Sequence, residues 1–388
     1  RAALGHNRPL GRHADVHDKH HVALHHTAQI ELTASNPRFI FSYFTNNFDN
    51  GIPIMPKHIW EGKDPESFSN FDMEQGWPVV SGPYKMAISV PEQRVWDIRP
   101  DWWAAKVGFR ELPKVERLIY LPYMEESKRV QNIIANAMDT SLDLRPPNIK
   151  SIIDANPGVS TWTGKELPLG YLDWWPVCLG FNNLEPPFDD PEVRRAVNHA
   201  IDREQLVKIG WQGAGTSSYL PLPNFPPIRN YTDGIQDLID KYEIGVYDPA
   251  KTAEILQRKG WSKDGEGFWS KGGERLTMVV DIFGIFNDLA PVLVAQLKQA
   301  GVDASFRLTS DTFTRMAQGT ARAYMMGNGG SVRDPYFTLR LYHSRFVQPT
   351  GTHAERFWRW SNPEYDAIVD KMGQTSPDDP ELQNLFRQ

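Results

Sequence analysis

Four polar side chains lie in one glycine-rich segment of the sequence, and their types suit the binding of a polar ligand. Asn328, Ser331, Arg333 and Asp334 follow Gly327 and supply an amide, a hydroxyl, a cation and a carboxylate. The segment comes directly after a predicted strand, and ligands of open α/β sheets bind beyond strand ends. Glycine lets the backbone approach a ligand closely. We therefore expect these four side chains to read polar groups on a bound molecule.

The same segment also fits a plain turn between a strand and a helix. Asp334 stands directly before Pro335, and an acidic residue followed by a proline is a typical helix start. For each residue taken alone, the turn explains its type as well as ligand contact does. Both interpretations stay open at this point.

Tryptophan is abundant, with 13 in 388 residues. Flat indole faces stack on the apolar faces of pyranose rings, while neighbouring polar groups read the hydroxyls. Trp174, Trp175, Trp358 and Trp360 are the ones we place nearest to a ligand, with Trp174 and Trp175 as stacking platforms. Packing in the core is the alternative for each of them.

A glycosidase is the enzyme that these residues could suggest. Asp173, Asp189 and Asp190 lie near the tryptophan pair, and glycoside hydrolysis uses two carboxylates. Asp189 and Asp190 are, however, explained by capping of the helix that follows. The sequence contains no Gly-x-Ser-x-Gly elbow, zinc-helix motif or Walker A loop. We therefore predict no catalytic residue and keep a carbohydrate-active enzyme on a two-lobe scaffold as the alternative.

The first 30 residues contain seven of the eleven histidines. On a helix, His13, His17, His21 and His25 would form an i, i+4 stripe that suits a transition metal. No acidic or thiolate partner completes such a site, so we predict neither a metal nor a cofactor. Cys178 is the only cysteine, and we expect a buried structural thiol rather than a nucleophile.

Composition limits the class of protein. The chain has 388 residues, 40% apolar content and 23% charged residues, which is ordinary for a globular protein of two or three domains. A net charge of −6 and the lack of a basic patch argue against nucleic acid as a partner. The sequence has no apolar run of transmembrane length and no visible signal peptide.

The clearest local structure is a helix that begins after Asp190. Asp190 is a good N-cap and Pro191 a good first helical residue. The apolar residues that follow recur at i, i+3, i+4, i+7 and i+8, which forms a single stripe for docking. Asp202 predicts a second cap, paired with Gln205. This pattern predicts a surface helix packed on a core.

Two βαβ units are predicted around this helix. The first comprises a strand at 115–121, a helix at 127–136 and a strand at 141–144. The second comprises a strand at 276–283, a helix at 288–300 and a strand at 302–308. Between these two units, the apolar strand 177–182 ends in Asn182 and is the best candidate for a crossing between domains.

Further elements are predicted outside these units. Residues 84–89 and 94–99 form a hairpin, and 148–155 a helix. Gly272 and Gly273 mark the tip of a second hairpin, whereas 211–246 is expected to be a long irregular connection.

Several motifs together resemble one family. The longest is the run PPFDDPEVRRAVNHAIDREQLV at 186–207, and shorter ones are SGPY at 81–84, DPY at 334–336 and WSNPEYD at 360–366. Their order and spacing are similar to those of the family 5 extracellular solute-binding proteins, the oligopeptide-binding class of ABC-importer receptors. The resemblance extends from about Ser35 to the last residue.

The resemblance implies an α/β fold like that of type II periplasmic binding proteins, with two α/β lobes and mixed sheets around an interlobe cleft. We expect residues 1–34 to be an atypical histidine-rich terminal segment, 35–178 part of the first lobe and 179–388 the second lobe. A return toward the first lobe near the C-terminus is left open. The chain begins at Arg1 and stops within a helical pattern, so we expect an interior fragment of a longer receptor with an incomplete first lobe.

The resemblance also implies a function. The receptor would capture an oligosaccharide or oligopeptide by hinge closure, with Asn182 near the hinge, and deliver it to the membrane permease of an ABC importer. It would act as a monomer, in the periplasm or anchored outside the cell. Peptide-binding relatives commonly carry an acidic residue four positions before the proline, where this chain has Ser331. An ammonium group without a counter-charge is costly to bury, so we favour oligosaccharide, although Asp334 is left open as a substitute.

Overall fold

Capping side chains fix the start of several helices, as the sequence predicts. The computed structural model describes residues 29–44, 55–64, 67–171 and 175–388. In it, the Asp190 carboxylate accepts a hydrogen bond of 2.9 Å from the backbone N–H of Glu192, at the start of the predicted helix. Asp202 accepts from the backbone N–H of Gln205 at 3.0 Å. These side chains satisfy amide groups that the first turn of a helix leaves without partners.

The chain divides into two compact units, which are described separately. One unit spans Phe39–Ser141, and the other comprises Leu142–Gln388 with the N-terminal residues up to Arg38. The lobe boundary that we predicted at residue 178 stays a prediction.

In its described residues, the unit Phe39–Ser141 contains a three-stranded antiparallel sheet and four short helices. The strands, in the order β1-β2-β3, are β1 (Tyr84–Val90), β2 (Gln93–Ile98) and β3 (Arg117–Tyr120). The helices are α1 (Phe39–Phe44), α2 (Lys57–Trp60), α3 (Trp103–Lys106) and α4 (Glu126–Ile134). The predicted hairpin is confirmed, because β1 and β2 pair as neighbours around a tight turn.

The first predicted βαβ unit is wrong. β3 pairs antiparallel with β2 instead of parallel with a later strand. Residues 141–144 form no strand, and Asp143 has a φ of 53°. This left-handed conformation is incompatible with an extended strand, so the alternation of apolar residues there did not indicate a strand. The helix predicted at 127–136 is confirmed as α4.

The second unit contains the remaining helices and strands. Its strands are β4 (Val177–Phe181), β5 (Ser262–Lys263), β6 (Trp269–Lys271), β7 (Glu274–Arg275), β8 (Thr277–Ile282), β9 (Asp303–Leu308) and β10 (Ala323–Gly327). Its α-helices are α5 (Pro146–Ala155), α6 (Pro191–His199), α7 (Arg203–Gln205), α8 (Pro226–Thr232), α9 (Gln236–Lys241), α10 (Pro249–Arg258), α11 (Ala290–Gln299), α12 (Thr312–Gln318), α13 (Tyr336–Leu339), α14 (Pro363–Gln374) and α15 (Glu381–Arg387). Five shorter helical turns are Leu206–Gly210, Asp233–Ile235, Gly284–Phe286, Arg340–Tyr342 and Ser344–Phe346.

A four-stranded mixed sheet forms the centre of this unit, in the order β4-β10-β8-β9. β8 and β9 are parallel and joined by α11, so the second predicted βαβ unit is confirmed. β10 runs parallel to β8 and antiparallel to β4. One large core of buried apolar side chains, including Val193 and Val197 of α6 and Leu293 and Leu297 of α11, packs against this sheet. The apolar stripe of α6 is therefore buried as predicted.

Two other predictions meet different outcomes. The hairpin tip at Gly272 and Gly273 is confirmed, since both residues have a positive φ between β6 and β7. The segment 211–246 is not irregular throughout, because it contains α8 and α9. A proline begins α8 as its first helical residue, and this signal of a helix start was overlooked.

Arg359 holds the segment after the sheet in place. Its side chain is 1% exposed, and its guanidinium donates to five backbone carbonyls. Two of these carbonyls belong to Met316 and Ala317 at the end of α12. Two others belong to Gln348 and Thr352, in the loop after the helical turn Ser344–Phe346. Carbonyls at a helix C-terminus carry partial negative charge, so backbone dipoles take the place of a carboxylate here.

None of the helices in the described part of the chain is both long and apolar enough to cross a membrane.

Candidate solute-binding site

Trp175 and the segment after β10 lie directly against each other. A methyl group built on Gly327 would lie 2.2 Å from Cδ2 of Trp175, so the indole rests on the bare backbone of this glycine. The indole is still 39% exposed. The pair therefore forms an open aromatic surface at the end of a central strand, the place where ligands of such sheets bind. Trp174, the other predicted platform, lies outside the described residues.

Ser331 is fully buried and forms a reciprocal pair with Thr338. The backbone N–H of Thr338 donates to Oγ of Ser331 at 2.9 Å, and the backbone N–H of Ser331 donates to Oγ1 of Thr338 at 3.2 Å. The two hydroxyls thus fasten the loop to α13. The predicted role of Ser331 as a polar reader has no support in this geometry, because its oxygen faces a partner within the loop.

Asp334 forms a buried ion pair with Arg38. Both carboxylate oxygens accept from Nε of Arg38 at 3.1 Å, and the side chains are 8% and 4% exposed. Oδ1 also accepts from the backbone N–H of Tyr336 at 3.0 Å, at the start of α13. The carboxylate is thus engaged by a guanidinium and a helix start.

Arg333 lies at the surface and pairs with another exposed side chain. Its Nη2 is 3.0 Å from Oδ1 of Asp378. A pair this exposed contributes little to stability. The structure therefore places Arg333 at the edge of the loop, with a partner of its own.

Asn182 joins three segments of the chain and is fully buried. Its amide nitrogen donates to the carbonyl of Gly319 at 2.9 Å and to Oγ1 of Thr350 at 3.0 Å. Its amide oxygen accepts from the backbone N–H of Leu184 at 3.0 Å. These contacts account for the asparagine at the end of β4 as a packing residue, and its predicted position near a hinge stays a prediction.

A cavity of about 170 Å³ brings Asn328 and Trp358 together. It lies beside β4 and β10. Trp358 and Tyr342 both line it, and their rings stack with 4.6 Å between the centroids. Nε1 of Trp358 donates to the carbonyl of Leu341 at 3.0 Å. The full lining consists of Cys178, Leu179, Gly180, Phe181, Asn183, Arg194, Tyr324, Met326, Gly327, Asn328, Tyr342 and Trp358.

The polar groups of this cavity lining are neutral side chains, apart from Arg194. Nδ2 of Asn328 donates to Oη of Tyr342, whereas Oδ1 of Asn328 and Oη of Tyr324 are buried without a hydrogen-bond partner. Burial raises the pKa of the Cys178 thiol to about 11 and that of the Tyr324 hydroxyl well above its usual value. At neutral pH both groups are protonated, and a neutral thiol is a poor nucleophile.

Sequence reasoning did not find Tyr324 and Tyr342. The signal for Tyr324 was available, because residues 324, 326 and 328 of a strand share one face and all three line the cavity. Tyr342 lies in the short helical turn Arg340–Tyr342. No apolar periodicity in the sequence indicates that this turn packs beside the sheet.

Of the residues considered for catalysis or metal binding, Asp190 has another role, and several lie outside the described part. Asp190 caps α6 and forms an ion pair with Nζ of Lys259. The histidine stripe at 13–25 and Asp173 lie outside the described residues. Among the described residues, no group of three or more His, Cys, Asp or Glu side chains is arranged to hold a metal ion.

Comparison with known proteins identifies the class. Residues 13–350 match the family model described as bacterial extracellular solute-binding proteins, family 5 Middle. The chain belongs to this family. The predicted resemblance is thereby confirmed.

Individual relatives are identical to this chain at about a quarter of the aligned positions. Heme-binding protein A of Haemophilus influenzae is 25% identical over 319 residues, which cover 80% of this chain and 52% of the relative. A glutathione-binding protein of Pectobacterium atrosepticum is 24% identical over 364 residues, which cover 92% of this chain and 63% of the relative. The chain thus spans between 52% and 63% of the length of these two curated relatives.

Solved structures confirm the fold class. A periplasmic oligopeptide-binding protein of Thermotoga maritima superposes with a TM-score of 0.77 at 21% identity, and the match covers 93% of this chain and 66% of that one. A structure of the same protein bound to mannohexaose gives a TM-score of 0.72. The fold is that of the type II periplasmic binding proteins, as predicted.

Proposed function

We propose that this chain is the solute-binding part of a receptor that serves an ABC importer. The observation that supports the proposal is the family match over residues 13–350 together with the shared fold. The receptor would hold its solute in the periplasm or outside the cell and pass it to the membrane permease. A solute that binds the closed form more tightly shifts the population toward closure.

We propose an uncharged oligosaccharide as the solute. Each charged side chain of the loop after β10 already has a counter-charge, since Asp334 pairs with Arg38 and Arg333 with Asp378. An α-amino group of a peptide would need a free carboxylate here, because a desolvated ammonium is costly without one. Asp334, which we considered as a substitute for the missing acid, is thus already engaged by a guanidinium.

Trp175 is the residue that we propose as the stacking platform. Its indole is partly exposed and lies on the backbone of Gly327, so one ring face is held in place by the protein. Flat, fixed aromatic rings are suited to the apolar face of a sugar. The mannohexaose complex of the Thermotoga protein supports a sugar ligand on this fold, although the same fold also serves oligopeptide-binding proteins.

We propose binding without turnover. Asp190, one of the carboxylates considered for a glycosidase, is engaged as a helix cap and in an ion pair with Lys259. The relatives described above carry the names of binding proteins. An enzyme on this scaffold would return a shortened sugar, whereas a receptor returns the sugar unchanged.

A thermal-shift experiment on the full chain tests the proposal. Mannohexaose, cello-oligosaccharides and di- to hexapeptides are added separately, and a ligand that binds only the folded state raises Tm by mass action. We expect a saturable rise with an oligosaccharide and recovery of the intact sugar after incubation. A rise with peptides alone would overturn the choice of solute, and a shortened sugar would favour the enzyme.

Two tryptophan variants make the test specific. Trp175→Ala is expected to weaken oligosaccharide binding by about tenfold, the size of one lost aromatic contact. Trp162→Ala is the control, because Trp162 is also exposed but donates to the carbonyl of Gly170 in another loop. Equal effects of the two substitutions would argue against Trp175 as the platform.

A further inference from the structure

Three arginines lie against phenylalanine rings in and after α13, two of them against the same ring. The guanidinium carbon of Arg345 is 4.9 Å from the ring centroid of Phe346, and that of Arg356 is 5.8 Å from the same centroid. The guanidinium carbon of Arg340 lies 4.4 Å from the centroid of Phe337. We call Arg345 and Arg356, which lie against the same ring, the Phe346 arginine cluster.

Arg356 is the member of the cluster whose charge is poorly compensated. Its Nε is buried without a hydrogen-bond partner among the described residues. Burial and, secondly, the positive charge of Arg340 lower the pKa of Arg356, while the nearby Glu355 acts in the opposite direction. A partly desolvated cation beside a second cation is unfavourable without an anion.

Three other buried or half-buried arginines of the same unit have counterparts, although Nη2 of Arg38 also lacks a hydrogen-bond partner within the described part of the chain. Arg38 pairs with Asp334, and Arg307 binds Asp281 with two hydrogen bonds of 2.7 and 2.8 Å. Arg359 donates to five carbonyls. Arg356 differs from these three arginines because no described residue accepts a hydrogen bond from its Nε.

We propose that Arg356, with Arg345 against the same phenylalanine ring, forms a binding site for a small oxyanion. A guanidinium presents a planar fork of N–H donors that matches two oxygens of a carboxylate, sulfate or phosphate. An anion there would supply a partner for the guanidinium of Arg356. The oxyanion is either free in solution or a carboxylate carried on a sugar, and the site does not depend on the proposed oligosaccharide site.

The test compares anions on the full chain at matched ionic strength. Tm is measured in chloride with 0 to a few millimolar sulfate or phosphate added. We expect a rise that saturates, unlike the general stabilisation by sulfate, which grows steadily with concentration. Arg356→Gln is expected to weaken sulfate binding by at least about tenfold, since charge-assisted hydrogen bonds are lost.

Three comparisons distinguish anion binding from a purely structural effect. Arg333→Gln removes an exposed arginine that pairs with Asp378, and we expect it to keep the full sulfate response. Arg356→Gln in chloride alone is expected to be as stable as the wild type or more so, because the substitution removes a poorly compensated cation. Arg356→Lys keeps the charge but loses the fork, and we expect it to bind sulfate with intermediate affinity.

Glucuronate and glucose distinguish the source of the anion. A Tm rise with glucuronate but not glucose, lost in Arg356→Gln, indicates a carboxylate carried on a sugar, whereas a response to sulfate and phosphate alone indicates a free oxyanion. The site is refuted by an unsaturable sulfate response in the wild type, or by the same saturable response in Arg356→Gln. An unchanged response of Arg356→Gln to neutral oligosaccharides would leave the proposed solute function standing in either case.

Discussion

Arg38 and Asp334 form an ion pair that is almost fully buried although 296 positions separate them in the sequence. The Arg38 guanidinium also donates to the carbonyls of Met372 and Thr375 at 2.9 and 2.8 Å. The pair therefore ties the start of the described chain to the loop after β10 and to the end of α14. The carboxylate that the sequence offers as a ligand contact is part of the structural frame of the loop.

The first prediction concerns this ion pair. Asp334→Asn leaves a buried guanidinium without its counter-charge, and we expect a loss of about 3–5 kcal/mol in the free energy of unfolding. Asp378→Asn, which breaks the exposed pair with Arg333, should change stability little. Urea denaturation of the three proteins measures the difference. If Asp334 instead bound a solute, its substitution would reduce affinity and leave stability unchanged.

The second prediction concerns the contact between Gly327 and Trp175. Gly327→Ala adds a methyl group 2.2 Å from the indole, so the ring must move away from the backbone. We expect a red shift and easier iodide quenching of the tryptophan emission, and weaker binding of the oligosaccharide. Gly284→Ala is the control, because nothing lies within 4 Å of its added methyl group. Unchanged emission in Gly327→Ala would mean that the indole does not rest on this glycine.

The third prediction compares two buried tyrosine hydroxyls. Oη of Tyr324 has no hydrogen-bond partner, whereas Oη of Tyr365 donates to the carbonyl of Leu339 at 2.7 Å. Tyr365→Phe leaves that carbonyl without its donor and is expected to cost about 1 kcal/mol of stability. Tyr324→Phe removes a hydroxyl that is buried without a hydrogen bond, so the free energy of unfolding should stay the same or rise. Denaturation at pH 7 measures both, and a large loss in Tyr324→Phe would reveal a partner for its hydroxyl.

The fourth prediction is a dependence on alkaline pH. Burial raises the pKa of Cys178 from an ordinary value of 9.0 to about 11. Above pH 9 the unfolded chain loses the thiol proton while the folded chain keeps it, so stability falls as pH rises toward 11. We expect this to remove about 2 kcal/mol between pH 8 and 11. Cys178→Ala should lose correspondingly less stability over that interval, and parallel pH profiles of the two proteins would contradict the prediction.

Local chemistry predicted much of the fold. Asp190 and Asp202 act on amide groups two or three residues away, so the relevant partners are visible in the sequence itself. The apolar stripe of α6 is likewise a property of nine consecutive residues. The strand predicted at 141–144 failed because alternation does not reveal the left-handed φ of Asp143, which ends any extended conformation.

The candidate site was less predictable because its partners are distant in the sequence. Nothing near Asp334 indicates that Arg38 neutralises it, and nothing near Asn182 indicates the carbonyl of Gly319. Ser331 differs, since its partner Thr338 is seven residues away, but a reciprocal pair of hydroxyls has no sequence pattern strong enough to predict. Polar residues in a glycine-rich loop are thus equally expected at a ligand and in a folded turn.

The contacts of Arg359 also predict how this part of the chain unfolds locally. Its guanidinium bonds the last turn of α12 and the loop at 348–352 at the same time. Neither segment can separate from the other without exposing a charge that, apart from the carbonyl of Phe357, their carbonyls solvate. The backbone amides of Gly351 and Ala354, which bond to carbonyls of Gln318 and Ala317, should therefore exchange their hydrogens with deuterium at a common rate, as one cooperative unit.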